Sequence, residues 1–331
     1  MSLGVIAVPA RGATPVTTAT PELIYTINHP AELKAVEYGV SGDRVSLGTP
    51  RVIAQLPAAD GLALLSEHEA LVGGGSTGMV FKVDLDTGKV TSAPSGIPTA
   101  YHVTLSRDKT FAWTAGLPGQ LAKIPLDPFG AGSVVAVHGD DLAVTTIGLG
   151  PNGAFYTTSD SHGSGDFGTL DLATMTTHRT IANLRGAHGF SYDPYTSDVL
   201  LFGAYQIDQI DPAQPDSVLA QEDFSPPQEF AFDQGVVDGQ GHLLVGSNTG
   251  YLVFVDYAAT SRVGKTSTTS RAFLDTNLDD LAVLHPAAVA SAAPASSSSS
   301  KKKIVTLVVL IVGVGGIGFL GLRMRQGRSG R

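Results

Sequence analysis

The chain has 331 residues, 43% hydrophobic and only 15% charged, enough to bury a full core and too apolar for pervasive disorder. Seven of its 21 basic residues and none of its 30 acidic ones fall in residues 287–331, which leaves 14 basic against 30 acidic side chains elsewhere. Such a surface repels phosphate backbones and excludes nucleic acid as a partner of the folded part, and the absence of Cys excludes disulfides, thiolate metal sites and cysteine nucleophiles.

Residues 1–20 form an N-terminal segment. The apolar run Leu3 to Ala10 ends in Val8-Pro9-Ala10 and reads as the remnant of a secretory signal that lacks its basic n-region. The chain's 39 Gly and 19 Pro, most of them between residues 21 and 286 and set among many Val, Leu and Thr, give the turn-dense composition of many short strands. This stretch is internally repetitive. The pattern of Leu71 to Val90 (LVGGGSTGMVFKVDLDTGKV) returns at Gly246 to Val263 (GSNTGYLVFVDYAATSRV) as strand, Gly-rich turn, alternating strand ending in Asp, polar turn and strand. The end of the third strand serves as a ruler: Val83-Asp84-Leu85, Ile124-Pro125-Leu126, Leu170-Asp171-Leu172, Ile210-Asp211-Pro212 and Val255-Asp256-Tyr257. Offsets of 41, 46, 40 and 45 residues fit four-stranded propeller blades. The turns at Ser106-Arg107-Asp108-Lys109, Gly150-Pro151-Asn152-Gly153, Asp193-Pro194-Tyr195-Thr196 and Asp238-Gly239-Gln240-Gly241 repeat at matching places, with residues that hairpin geometry demands.

Five blades are thereby accounted for. The leftovers are an apolar strand at Leu281 to Leu284 and N-terminal strands at Leu23 to Ile27, Ala35 to Val40 and Val45 to Leu47. One C-terminal strand joined to three N-terminal ones completes a sixth blade. The predicted fold is therefore an all-β, six-bladed β-propeller with 1+3 strand closure, which removes the exposed sheet edge.

Residues 287–303 are an Ala/Ser/Pro linker ending in Lys301, Lys302 and Lys303. Ile304 to Leu322 is 19 residues without a charge, long enough at about 1.5 Å per residue to cross the roughly 30 Å hydrocarbon layer as one transmembrane helix. Its glycines include no pair with GxxxG spacing, and residues 323–331 form a basic tail. The membrane is thus an expected partner, crossed once. Three Lys before the span against four Arg after it set orientation weakly, and the Ser/Ala/Pro stalk favours an extracytoplasmic propeller at a bacterial cell surface or in the periplasm.

In its repeat form, over about Pro21 to His285, the chain resembles the six-bladed propeller superfamily that includes NHL-repeat proteins and the gluconolactonase/regucalcin family. The resemblance implies a channel lined by the innermost strand of each blade, with a ligand site at one mouth. Reading just before each inner strand gives Asp60, His102, Thr146, His188, Glu229 and Asp280, with Tyr101, Gln228 and Asp279 adjacent. Asp60, His102, His188, Glu229 and Asp280 form a candidate ligand ring for Ca²⁺, Mg²⁺ or Zn²⁺. The gluconolactonase family holds a divalent metal with carboxylate and Asn ligands and keeps a carboxylate near the attacked carbonyl. The resemblance gives those parts to Asp60, Glu229 and Asp280, with a carboxylate or His102 as base. No Asn stands at any of the six places, a departure from the family's pattern.

Other motifs carry less. Gly73 to Gly78 lacks the Gly-Lys-Ser/Thr of a phosphate loop and reads as a hairpin turn. Asp160 to Asp166 reads as a solvated blade loop, no GxSxG elbow supports a serine hydrolase, and Trp113 reads as inter-blade packing. His29, His68, His138, His178, His242 and His285 read as surface residues. A tethered repeat domain without a catalytic motif predicts a surface binding or scaffold protein that engages a protein or small-molecule ligand. The alternative is a metal-dependent lactone or ester hydrolase, with Glu229, Asp280 and His102 as its catalytic residues.

Overall fold

The computed structural model describes residues 20–286 apart from residue 118, residues 159–163 and the side chain of Gln228. The expected signal remnant, the linker, the apolar span 304–322, the basic tail and most of the 160–166 loop lie outside the described residues. Among the described residues no helix is long and apolar enough to cross a membrane.

Six sheets follow one another along the chain, each built outward from a short inner strand and antiparallel throughout except for His138–Gly139, which pairs parallel at the outer edge of the third. The inner strands are Leu62–Leu64, Val103–Leu105, Thr146–Leu149, Gly189–Asp193, Phe232–Val237 and Leu278–His285, which begin blades 1 to 6. Each packs beside the next, and the sixth packs beside the first, so the inner strands close a ring around one axis. Blade 6 is the composite foreseen from the leftovers. Leu278–His285 pairs antiparallel with Glu22–Ile27, which matches Tyr25 with Leu281, Ile24 with Ala282 and Leu23 with Val283. Its third strand, Glu32–Ser41, is long enough to carry two partners on its outer edge. Arg44–Leu47 pairs one half and Arg51–Gln55, a strand the sequence pattern did not reveal, pairs the other.

The core is divided among the six blade-to-blade interfaces rather than gathered at one centre. Leu23, Tyr25 and Val36 of blade 6 pack against Leu244, Leu252 and Phe254 of blade 5, while Ile24, Leu33 and Ala35 on the other face meet Leu62, Val72 and Phe81 of blade 1. With both faces buried, the middle strands lose the polar alternation of a half-exposed sheet. Asp198–Gly203 and His242–Ser247 are buried at every position. Trp113 is buried between blades 2 and 3, edge-on to Phe111, as its place in the repeat predicts.

The Asp of the sequence ruler has a local cause. Asp84 Oδ1 accepts the backbone N–H of Asp86 and Thr87, Asp171 Oδ1 those of Ala173 and Thr174, Asp211 Oδ1 that of Ala213, and Asp256 Oδ1 that of Ala258. Each carboxylate organises the turn into the outer strand. His242 corrects the surface reading. It is buried, its Nδ1 lies 2.7 Å from Asp238 Oδ2, and its ring stacks on Phe254.

Two β-bulges interrupt the inner strands that matter most. In blade 6, Tyr25 pairs Leu281 and Ile27 pairs Leu278, so three steps on the inner strand oppose two on its neighbour. In blade 5, Phe232 pairs Ser247 and Gly235 pairs Val245, the same excess of one. Gly189 of blade 4 lies against the second bulge, where a Cβ would meet the Asp233 carbonyl at 2.3 Å and Gln234 Oε1 at 2.7 Å. Gly189→Ala is therefore expected to cost about 1–3 kcal/mol of stability through overpacking, measured by chemical denaturation. An unchanged midpoint would mean that the two blades do not need this close approach.

Candidate functional site at the channel mouth

The end of each blade's second strand lies beside the start of its inner strand, so both contribute to one mouth of the channel. A cavity of about 250 Å³ opens there, lined by Asn28, Asp60, Tyr101, His102, Thr145, His188, Asp233, Asn248 and Asp279, with Gly116 and Leu117 at its edge. Asp60, His102 and His188 are thus brought together as their repeat positions predict. Asp280 lines a second cavity, of about 270 Å³, deeper in the channel. His102 borders both cavities.

Glu229 is not part of the ring. It ends a single 3₁₀ turn, Pro227–Glu229, and its carboxylate pairs with Arg271 on the outside of the blade, where it is 41% exposed. The reason is the Ser225-Pro226-Pro227 segment, which holds the chain in that turn and delays the inner strand until Phe232. Asp233 takes the place assigned to Glu229. Thr146 also differs, since it faces the deeper cavity while Thr145 lines the mouth. The sequence reading missed Asp233, Asn28 and Asn248. The two Asn follow the second strands of blades 6 and 5 and reach the mouth from there, not from the six inner-strand places. A second alignment of the repeats, on the residue after each second strand, would have found them.

The bulges explain why neighbouring residues both face the channel. In a regular strand Asp279 and Asp280 would point to opposite faces. The extra residue lets Asp279 line the mouth while Asp280 turns to the deeper cavity, and the same device presents Asp233 and Gln234.

His102, His188 and Asp233 each offer a ligand atom, and these atoms lie within 4.8 Å of one another. His188 Nε2 is 2.6 Å from Asp233 Oδ1, and the two imidazoles meet edge-on with centroids 4.9 Å apart. Gln234 Nε2 lies 2.8 Å from His102 Nδ1. An amide can present its NH₂ or its oxygen there and so select which ring nitrogen keeps its lone pair. Asn28, with its amide oriented to satisfy both ends, donates to the Ala59 carbonyl and to Asp279 Oδ2. Asp60 Oδ1 accepts the Gly61 N–H at 3.1 Å, and Asp280 Oδ2 accepts the Leu62 N–H at 2.8 Å. Thr26 ties the closing blade to this wall, its Oγ1 donating to the Asp60 carbonyl and accepting the Asp280 N–H.

Crowding drives the ionisation states apart. Burial, with the charges of Asp233 and Asp280, holds the Asp60 carboxyl well above the usual carboxylate range. Burial and the neighbouring carboxylates do the same to Asp279, which also shares a hydrogen bond with Asp233. Burial alone would raise Asp233 as well, but the charge and hydrogen bond of His188 outweigh it and keep this carboxylate ionised. His102 is pushed down to about 3 by burial and by His188, and so is neutral at physiological pH. Carboxyl groups of one chemical type are thus sorted into proton holders and a permanent anion, the separation that acid–base work requires.

The residues fit a divalent cation. Two imidazoles and a carboxylate converge, and beside them the buried Oδ1 of Asn248, itself a cavity-lining residue, has no hydrogen-bond partner. The donors are two nitrogens and a carboxylate oxygen, a set that suits Zn²⁺ or Mn²⁺ better than Ca²⁺, whose sites are built from oxygens.

No protein-family model matches the sequence, and a search among curated proteins finds no match. Solved structures do match. A streptogramin B lyase aligns over 81% of this chain and 88% of its own, with a TM-score of 0.53 and 12% identity. A calcium-binding protein, regucalcin, from Agrobacterium tumefaciens aligns over 67% of this chain and 76% of its own, with a TM-score of 0.51 and 12% identity. A luciferin-regenerating enzyme aligns over 67% and 78%, with a TM-score of 0.53 and 14% identity. The chain shares the six-bladed propeller fold with these proteins, the architecture its repeats predict.

The raised Asp280 carboxyl has a consequence for stability. Burial, with the Asp233 charge, lifts it well above its unfolded value, so the fold retains a proton that the unfolded chain releases above about pH 4. That contribution is whole below about pH 4 and is lost as the pH rises towards the raised folded value. Asp280→Asn keeps an acceptor for the Leu62 N–H. In thermal melts of chelator-treated protein it should lose less stability than the parent between about pH 5 and pH 8. A gap between the two proteins that stays constant with pH would contradict this assignment.

Proposed function

We propose that the protein is a divalent-cation-dependent hydrolase of the lactonase type, with its chemistry at the channel mouth. The observation that carries this reading is the convergence of His102, His188 and Asp233 in one cavity with carboxyl groups of opposed ionisation. The likeness to propellers described as a lyase, a calcium-binding protein and a luciferin-regenerating enzyme supports it over a purely structural scaffold. His102, His188 and Asp233 would hold the cation, with Gln234 setting the His102 ring nitrogen that faces it. A cation bound there supplies electrophilic polarisation of an ester or lactone carbonyl. Asp60 and Asp279 line the adjacent wall. Both hold their protons while the site lacks a cation; the positive charge of a bound cation would favour ionisation of one of them, and that carboxylate would take the proton of an attacking water and return it to the leaving alkoxide.

The cation reading makes a direct demand. At about 100 times its dissociation constant, Zn²⁺ or Mn²⁺ should raise the melting temperature of chelator-treated protein by roughly 5–10 °C, with a smaller rise for Ca²⁺. His188→Ala should abolish the shift, Gln234→Leu should weaken binding by about 10–100-fold, and Glu229→Gln should leave it intact. No shift with any of these ions, or an undiminished one in His188→Ala, would remove the metal from the proposal.

Attachment to a membrane through Ile304–Leu322, with the propeller outside the cytoplasm, belongs to the same proposal, supported by the 19 uncharged residues and the stalk before them. Protease treatment of intact cells should then release the propeller, whereas protection until lysis would reverse the orientation.

A further inference from the structure

The rim of the cavity differs in character from its floor. Leu117 stands at the edge of the mouth, 48% exposed, in the tight loop that follows the second strand of blade 2. That exposure is imposed by the backbone. Gly119 N–H donates to the Gly116 carbonyl at 2.7 Å, Thr99 Oγ1 donates to the Leu117 carbonyl at 3.1 Å, and a Cβ on Gly116 would strike the Thr99 carbonyl at 2.1 Å. The loop is pinned from below and its leucine is held outward. Gly119 in turn packs so closely on Ala143 that a Cβ would lie 2.1 Å from its Cα, which brings Leu142, 62% exposed, beside the same loop. Tyr101 adds an aromatic ring to the wall below.

The floor has carboxylates and imidazoles, and among the described residues no Lys or Arg lines the cavity. A carboxylate or phosphate on the ligand would face the ionised Asp233 with no fixed cationic side chain to receive it, and it would oppose the ionisation of Asp60 or Asp279 that the hydrolytic step needs. The space, about 250 Å³ or roughly eight water molecules' share of liquid volume, suits the reacting end of a small ester or lactone and leaves a substituent at the rim.

Resting on the hydrolase reading above, we propose that the substrate is an uncharged ester or lactone bearing an apolar substituent that lies against Leu117 and Tyr101, and that substrates carrying a carboxylate or phosphate are rejected. The test uses the full chain in detergent, loaded with Zn²⁺ or Mn²⁺, and a series of γ-lactones with side chains of zero to six carbons plus an ω-carboxylated member. kcat/KM should rise roughly fourfold for each methylene buried at the rim until the apolar surface is covered. The carboxylated member should fall at least tenfold below its methyl-terminated counterpart. Leu117→Ser, a change at an exposed position, should flatten the dependence on chain length. Hydrolysis with a flat profile, or a preference for the carboxylated lactone, would overturn the substrate assignment and leave the hydrolase reading standing. If no lactone is turned over, the hydrolase reading fails, and the matching lactams, read by their shift of the melting temperature, decide the rim on its own. A shift that grows with chain length in the parent protein and not in Leu117→Ser supports the apolar subsite, and a flat series removes it.

Discussion

The pairing of Leu278–His285 with Glu22–Ile27 is the contact on which the other features rest. A propeller blade alone has two apolar faces and cannot bury either, so each sheet depends on both neighbours, and an open arc would leave two faces and two edges bare. Hydrogen bonds between residues 254 apart in sequence, from Asp280 N–H to Thr26 Oγ1, join the two ends of the folded chain and turn the arc into a ring. Only then do the inner strands share an axis. The loop-closure entropy of so long a separation grows slowly with length, whereas the apolar area covered at the interfaces of blade 6 with blades 5 and 1 is that of whole sheet faces.

The same closure sets the electrostatics of the mouth. Asp279 and Asp280 ride on the closing strand, Asp60 on the first blade and Asp233 on the fifth, so carboxyl groups distant in sequence are pressed into one volume from which most water is removed. They cannot all ionise there. One anion is fixed by His188, the others retain protons, and His102 is kept neutral. The ring thus holds a set of groups whose preferred charges would change on meeting a cation, with Asn248 Oδ1 placed beside them without a partner.

Much of this architecture was legible in the sequence because blade turns are local. Asp84, Asp171, Asp211 and Asp256 mark the third-strand ends through hydrogen bonds to residues two and three positions on, and local chemistry repeats at a readable period. The inner-strand starts follow from that period, which is why Asp60, His102 and His188 were found. Asp233 was not, because a proline-led turn and a one-residue bulge shift the fifth inner strand relative to its repeat, and a bulge leaves no compositional trace. Glu229 occupied the expected place by count and the wrong one by geometry. Asn28 and Asn248 escaped for a different reason, since they follow second strands and reach the mouth only through the hairpin geometry of the blade.

The place of His102 on both cavities has a consequence for communication. It lines the mouth and also the cavity that holds Asp280, and its ring meets Gln234 of the fifth blade. A group that shifts this imidazole at the mouth therefore disturbs the wall of the second chamber as well, so occupancy of one is felt in the other through a single side chain.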